Sequence, residues 1–331
     1  MGVLVSAMQF ITKEEAPLVD IWMVTYNHEN YIAEAIESVL MQQTNFKYRL
    51  VIGEDYSTDK TREICIQYKK KNPDKIHLIL NKKNLGATQN SYNIHYACTA
   101  KYQAMLEGDD YWTDPFKLQK QVDFLEGNNE FSVCFHIAEY VNTLENKISY
   151  FPEKLQKNEL TIEDVLQFPS NGWFLMTSTI LYRKSAIQDL PGWFLEFRNG
   201  DCLTVMLASL RGKIYFLRED MSIYRLHTGG IMQSNMFSNI NVTKSLYLLF
   251  LKFNKYSNYK FQKLIFKQLL IFLYEILLHY KNEKKWINYL IYTIRFNYFT
   301  LRLKKDPKGF KEHCIAILDY VKFLLKEVNT Q

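Results

Sequence analysis

Cysteine is scarce and unpaired in this sequence: Cys65, Cys98, Cys134, Cys202 and Cys314, five in 331 residues, form no CxxC pair and no even set. That pattern argues against a disulfide framework and against a cysteine-built structural zinc site, and it predicts a reducing compartment. Long apolar runs are also missing. No stretch approaches the roughly 18 uninterrupted apolar residues of a membrane-crossing helix, and the start has no basic region leading into an apolar one. The expectation is a cytoplasmic chain, neither secreted nor transmembrane. Repeats and low-complexity tracts are absent too. Negative charge is short at one end only: from Ile231 to Gln331 there are 17 Lys and Arg against 6 Asp and Glu, whereas the preceding residues carry 24 against 29. The two parts are expected to face different partners.

What is present is ample core material, 47% hydrophobic and 15% aromatic residues, enough for one large domain and a smaller appendage. Residues 1–17 lack a clear period and end at Pro17, so they read as an N-terminal extension. Leu18 to Thr25 reads as a buried strand, broken by Tyr26-Asn27-His28-Glu29-Asn30 before a helix with Ile32, Ala35, Ile36, Val39 and Leu40 at helical spacing. Tyr48 to Gly53 is a second strand, running into a helix that Ser57 or Thr58 can cap. Ile76 to Leu80 is a third, followed by a helix over Thr88 to Cys98, and Tyr102 to Leu106 is a fourth. Strands alternating with helices predict an α/β fold, a mostly parallel sheet with helices on both faces. Ligands of such sheets sit at the carboxyl ends of the strands, and every polar cluster of this half lies at such an end. Further on, Lys117 to Leu125 reads as a helix and Phe131 to Tyr140 as a strand. Thr161 to Gln167 reads as a short helix with Thr161 and Asp164 as a capping pair, Ser178 to Tyr182 as a strand, and the chain from Val242 onward as helical.

Glu107-Gly108-Asp109-Asp110 puts three carboxylates in four residues after an apolar strand. Their mutual repulsion is relieved by a hard divalent cation such as Mg²⁺, which also binds substrate phosphates. An ordinary acidic turn with Asp110 capping a helix fits these four residues equally well. In Glu54-Asp55-Tyr56-Ser57-Thr58-Asp59 a carboxylate could meet a nucleoside, although such clusters more often cap helices.

Taken together, Thr25-Tyr26-Asn27, Glu54 to Asp59, Asn84-Leu85-Gly86-Ala87 with Asn90, and Glu107-Gly108-Asp109-Asp110-Tyr111-Trp112 follow the order and spacing of the family 2 glycosyltransferases. The resemblance extends through Asn199-Gly200-Asp201 and Tyr224-Arg225-Leu226-His227 and covers roughly residues 18 to 232. It implies a GT-A fold, a nucleotide-sugar donor that in relatives is commonly a UDP-sugar, and transfer with inversion. Thr25, Tyr26, Asn27, Glu29, Asn84, Gly86, Asn90, Glu107, Gly108 and Asp109 would bind the donor, with Glu54 or Asp55 on the base and ribose. Asp109, Asp110 and His227 would hold the metal, which the resemblance widens to Mg²⁺ or Mn²⁺. Glu107 stands where the family's DxD motif usually begins with Asp, a swap that leaves open which carboxylate meets ribose and which the metal. Asp201 would be the general base, in a position where relatives often have Glu-Asp; a helix N-cap is a compatible reading of the same residue. Trp112, abutting the acidic motif, is the candidate sugar platform, and Gly229 and Gly230 would allow a segment to close over the donor.

The remainder, 233–331, is expected to be a basic helical region, with Lys263 and Lys267 on one helix and a basic run from Lys281 to Lys285. It suits peripheral attachment to anionic lipid on the cytoplasmic face and equally a bundle packed on the catalytic domain with a solvated basic face. The acceptor implied is a saccharide or lipid-linked saccharide of polysaccharide or glycan synthesis. Nucleic-acid binding through the basic tail is the rival from another class; no nucleic-acid motif accompanies the charge, so no nucleic-acid partner is expected. An inactive sugar-nucleotide-binding scaffold is the second rival, and the joint presence of Asp109, Asp110, Asp201 and His227 speaks against it.

Overall fold

A computed structural model describes residues 16–304 apart from 144, 146, 154, 198, 199 and 231–238. Most of the N-terminal extension and the last 27 residues of the basic region therefore lie outside the described residues, as does Asn199. In chain order the elements are β1 (Val19–Thr25), α1 (Ile32–Leu40), β2 (Tyr48–Glu54), α2 (Thr61–Lys71), β3 (Ile76–Leu80), α3 (Ala87–Ala97) and β4 (Tyr102–Glu107). Then come β5 (Tyr111–Trp112), α4 (Lys117–Gly127), β6 (Phe131–Asn142), β7 (Lys147–Phe151), β8 (Glu159–Leu160), α5 (Ile162–Leu166), α6 (Phe168–Asn171), β9 (Leu181–Arg183), α7 (Gly200–Ser209) and β10 (Lys213–Leu226). Three helices follow, α8 (Ile240–Tyr256), α9 (Gln262–Asn282) and α10 (Trp286–Lys304).

Ten strands form one sheet in the order β3-β2-β1-β4-β9-β6-β10-β5, with β7 on β6 and β8 on β10. The first four are parallel, and β9 runs antiparallel to both β4 and β6. Strand β1 is buried along its whole length, as a central strand covered on both faces must be. The register sets Thr25 opposite Glu54 and Val24 opposite Glu107, so the carboxyl ends of β1, β2 and β4 finish side by side. This is the α/β sheet expected from the alternating pattern.

Three local expectations change and one holds. Helix α2 starts at Thr61 rather than near Ser57, because Asp59 Oδ1 accepts the Thr61 N–H at 2.9 Å. The capping pair Thr161 and Asp164 is present as a reciprocal box. The strand expected at Ser178–Tyr182 is replaced by a 3₁₀ turn at Thr177–Thr179 followed by the short β9. Strand β10, 14 residues long, had no counterpart in the sequence reading; its burial does not alternate strictly, and its pairing with β6 is broken by register shifts.

Helices α8 and α9 do not form a separate bundle. Phe250, Phe253, Ile265, Leu269 and Leu273 lie in the same apolar cluster as Phe168, Leu203 and Phe216 of the sheet domain. The Phe168 and Phe250 rings meet edge to face at 5.6 Å, and Ser170 Oγ donates to Gln268 Oε1 at 2.7 Å. Among the described residues, no helix is long and apolar enough to cross a membrane.

Candidate active site

The carboxyl ends of the strands open into a cleft of about 370 Å³. One wall comes from the loops after β1, β2 and β3: Thr25, Tyr26 and His28, then Asp55, then Asn84 and Gly86. The opposite wall comes from Glu107 and Asp109 after β4, Thr177, Asp201 at the start of α7, and Tyr224 and Arg225 of β10. Val242 and Leu246 of α8 close one side.

The first wall is held by its own hydrogen bonds. Asn27, in the left-handed region at φ 55°, donates its N–H to Ser57 Oγ at 3.0 Å and accepts from the Thr58 N–H at 2.9 Å. Glu29 accepts from the Lys60 N–H at 3.0 Å, and its own N–H reaches Asp59 Oδ2 at 3.0 Å. Asn27 and Glu29 thus lock the β1 loop to the β2 loop and do not line the cleft. Of the pair Glu54 and Asp55, only Asp55 faces it. Glu54 is fully buried, paired with Arg62 and accepting the Ser57 N–H at 2.6 Å. Asp55 Oδ1 takes the Leu85 N–H at 2.9 Å, and Oδ2 takes the Gly86 N–H at 2.8 Å, which holds the turn where Gly86 adopts φ +82°. Asn84 Oδ1 accepts from the same Gly86 N–H at 3.1 Å. Asn90 Nδ2 donates to Gly53 O at 2.7 Å from a nearly buried position at the back of the cleft.

At the acidic wall the chain makes a close approach at Gly108, where a Cβ would lie 2.6 Å from Thr25 Oγ1. Asp109 Oδ2 is 3.1 Å from His227 Nε2 and 3.6 Å from His28 Nε2. The Gly229 N–H donates to His227 Nδ1 at 3.2 Å. That bond leaves the proton on Nε2, so His227 donates to the Asp109 carboxylate. Asp110 accepts the Arg225 N–H on Oδ1 at 2.9 Å, while its buried Oδ2 has no hydrogen-bond partner. Arg225 also donates to Asp109 O at 2.8 Å and pairs with Glu34.

Burial sets the ionisation of this wall. It pushes Glu107 up to about 8, helped by the charges of Asp109 and Asp201. It carries Asp110 well above the usual carboxylate range, with Asp109 and Glu107 adding to the effect. Burial raises Asp201 as well. Asp109 goes the other way: burial opposes its ionisation, but the hydrogen bond from His227 and the nearby imidazoles hold it below the usual value. The Tyr224 hydroxyl is pushed well up by burial and by the four carboxylates Glu107, Asp110, Asp109 and Asp201 around it. The Thr177 hydroxyl sits between Glu107 and Asp201 and favours the ionised form of each.

These residues fit a divalent cation of the phosphate-bridging kind. Such ions use one or two protein carboxylates and take their remaining ligands from phosphate and water; among the described residues no three His, Cys, Asp or Glu side chains form a closed cage. The unpartnered Asp110 Oδ2 beside ionised Asp109 is what an added cation would satisfy. Trp112 does not fit its expected role. It is 1% exposed, donates Nε1–H to Ser178 O at 2.8 Å, and has Lys117 Nζ 3.9 Å from its ring centre, so no face is free for a sugar. The tryptophans that line the cleft are Trp22 and Trp173. His28, Thr177, Tyr224 and Arg225 complete the site without having been singled out; Tyr224 and Arg225 lay inside a quoted motif and His28 in the loop after the first strand, while Thr177 carried no local signal.

Comparison with known proteins agrees with this geometry. Residues 20–190 match the model of glycosyl transferase family 2. An uncharacterized protein of Mycobacterium tuberculosis is 34% identical over 218 residues, which is 64% of this chain and 59% of that relative, so the chain matches less than two thirds of the relative's length. TarS of S. aureus, solved with UDP-GlcNAc, superposes with a TM-score of 0.56 at 18% identity, over 82% of this chain and 89% of that one. The mannosyltransferase PcManGT of Pyrobaculum calidifontis, solved with GDP-Man and Mn²⁺, gives a TM-score of 0.51 at 13% identity, over 92% and 88%. With more than half of its length matched by the family model, the chain belongs to glycosyl transferase family 2.

Proposed function

We propose that the chain is an inverting glycosyltransferase that moves a sugar from a nucleotide-sugar, a UDP-sugar by preference, to a saccharide or lipid-linked saccharide acceptor in glycan synthesis. The observation that carries this reading is a single cleft lined on one side by Thr25, Tyr26, Asp55 and Asn84 and on the other by Glu107, Asp109 and Asp201. A nucleoside fits the first wall and a diphosphate the second. Two of the solved structures of the same fold hold nucleotide-sugars, UDP-GlcNAc in one and GDP-Man in the other.

In this reading Asp109 and Asp110 hold Mg²⁺ or Mn²⁺, with His227 beside them. The cation, when bound, offsets the charge that builds on the departing diphosphate. Asp201 takes the proton of the acceptor hydroxyl. The acceptor oxygen then bonds to the anomeric carbon as the bond from that carbon to the phosphate oxygen breaks, and the electron pair leaves on the nucleoside diphosphate. A base works best when its pKa approaches the working pH, and burial moves Asp201 in that direction. Thr177 steadies the carboxylate from the side. Trp173, which lines the cleft, would meet the apolar face of a sugar ring in this reading.

The test is a thermal shift of wild type and Asp109→Asn with UDP, GDP and dTDP, each with and without Mn²⁺, followed by NMR of the product anomer. Stabilisation by one nucleotide that depends on Mn²⁺ and is lost in the variant is expected. A retained anomeric configuration would overturn the direct displacement, and the absence of any nucleotide shift would favour a scaffold.

A further inference from the structure

Helix α10 buries one face and shows the opposite one. Phe299 and Leu303 pack into the core at 6% and 3% exposure. On the other side Ile287, Leu290, Ile291, Ile294, Tyr298 and Leu301 are all exposed, from 43% to 78%. At the pitch of an α-helix these six fall within an arc of about 100°, the width of the apolar stripe by which a helix normally seats on a core. Among the described residues no core is opposite. Solvent-exposed apolar patches of this extent mark a contact surface.

The charge around the stripe has one sign. Arg295 and Arg302 are exposed along one edge of it, Lys284 and Lys285 lie at its start, and residues 284–304 contain no Asp or Glu. Trp286, 61% exposed, stands at the same end. A second copy of this face would bring arginine against arginine, so self-association is disfavoured by the charge that favours an anionic partner. An aromatic residue at the rim, an aliphatic centre and basic flanks match the interface between lipid headgroups and acyl chains.

We propose that the exposed face of α10 docks on an anionic lipid bilayer, lying in the interface plane without crossing it. The apolar arc enters the headgroup boundary, and the arginines and lysines meet lipid phosphates at its edge. Helix α9 packs between α10 and α8, and Val242 and Leu246 of α8 line the cleft, so the docked face and the cleft belong to one rigid stack of helices. The proposal does not depend on the donor assignment, and its test uses neither donor nor acceptor.

The experiment is flotation of the full chain with vesicles of pure phosphatidylcholine and of phosphatidylcholine containing phosphatidylglycerol, at low and high salt. Binding to the anionic vesicles at least tenfold above the neutral ones is expected, falling as salt rises. Ile287→Asp/Ile294→Asp should reduce it tenfold or more, and Lys284→Glu and Arg302→Glu by about fivefold or more each. All four side chains are exposed, so unchanged melting temperatures are expected and should be checked. Equal binding to both vesicle types, or binding that the double variant leaves intact, would overturn the proposal. So would a concentration-dependent dimer in light scattering that Ile287→Asp/Ile294→Asp abolishes, since it would assign the face to a second copy.

Discussion

His227 Nε2 stands 3.1 Å from Asp109 Oδ2 across 118 residues of sequence, while the Gly229 N–H occupies the other ring nitrogen. The ring therefore presents a proton, not a lone pair, to the carboxylate, and it orients Asp109. A direct bond from Nε2 to a metal would require that proton to move to Nδ1 and the Gly229 contact to open. The two roles separate by substitution. His227→Ala should weaken Mn²⁺-dependent nucleotide binding by about 10–100-fold, the usual cost of losing a residue that holds a metal ligand. His227→Gln can still donate from its amide nitrogen and should recover most of that loss in calorimetric titration. A Gln variant as weak as the Ala variant would make His227 a ligand instead.

Asp201 lines the cleft at the first turn of α7. Asp201→Asn keeps size and polarity but cannot take a proton, so turnover should fall by about 10²–10⁴-fold while the nucleotide affinity stays within about twofold. Burial raises the wild-type pKa, and the base acts when deprotonated. The acid limb of kcat/KM against pH should therefore bend above the ordinary carboxylate range. A limb at the ordinary aspartate value, or an Asn variant with near-normal turnover, would remove Asp201 from the reaction.

The parallel half of the fold was legible because β1, β2 and β4 are short apolar runs that end in polar clusters, and burial on both faces requires such runs. In the second half α4, β6 and α5 were legible too, but β10 was not. Strand β10 is half exposed, and its partner β6 precedes it by some 70 residues, so neither alternation nor proximity announced it. That strand brings Tyr224, Arg225 and His227 against the acidic motif, which explains why this part of the wall was pointed to only by resemblance. Trp112 misled for the opposite reason. Nearness to Asp110 in sequence says nothing about what the ring packs on, and Trp112 is taken up in the core by its bond to Ser178 O and by Lys117 against its ring. Asn27 and Glu29 lie in the right loop but are occupied in joining it to the next one.

Glu107 is held neutral by its surroundings, with its pKa pushed up to about 8 by burial and by neighbouring carboxylates. In the unfolded chain it titrates near 4.5. A group raised on folding contributes fully below the unfolded value, and its contribution is lost as pH rises through the folded one. Metal-stripped protein should therefore lose melting temperature between about pH 4.5 and pH 8. Glu107→Gln should flatten that slope, and saturating Mn²⁺ with the preferred nucleotide should reduce it by neutralising the cluster. A metal-free melting curve that is level or rising over this window would mean that Glu107 is ionised in the folded chain.

Gly108 is required by space, not by backbone conformation. A methyl group there would sit 2.6 Å from Thr25 Oγ1, 2.8 Å from Thr25 Cβ and 3.0 Å from His28 Nδ1. Contacts under 3 Å must be relieved, and neither neighbour is a free flexible end. Thr25 is nearly buried at the close of β1, and the His28 ring faces Asp109. Gly108→Ala should therefore push the β1 loop away from the β4 loop, costing about 1–3 kcal/mol of stability, as overpacking of a filled site does. It should also weaken nucleotide binding more than a distant variant of equal stability loss. Gly127→Ala is the control: a Cβ there meets nothing within 4 Å, and it should leave binding unchanged. Pairing Gly108→Ala with Thr25→Ala deletes Thr25 Oγ1, the nearest clashing atom, and so part of the clash. If the double variant recovers binding, the fit between the two loops, and not glycine itself, is what the cleft needs.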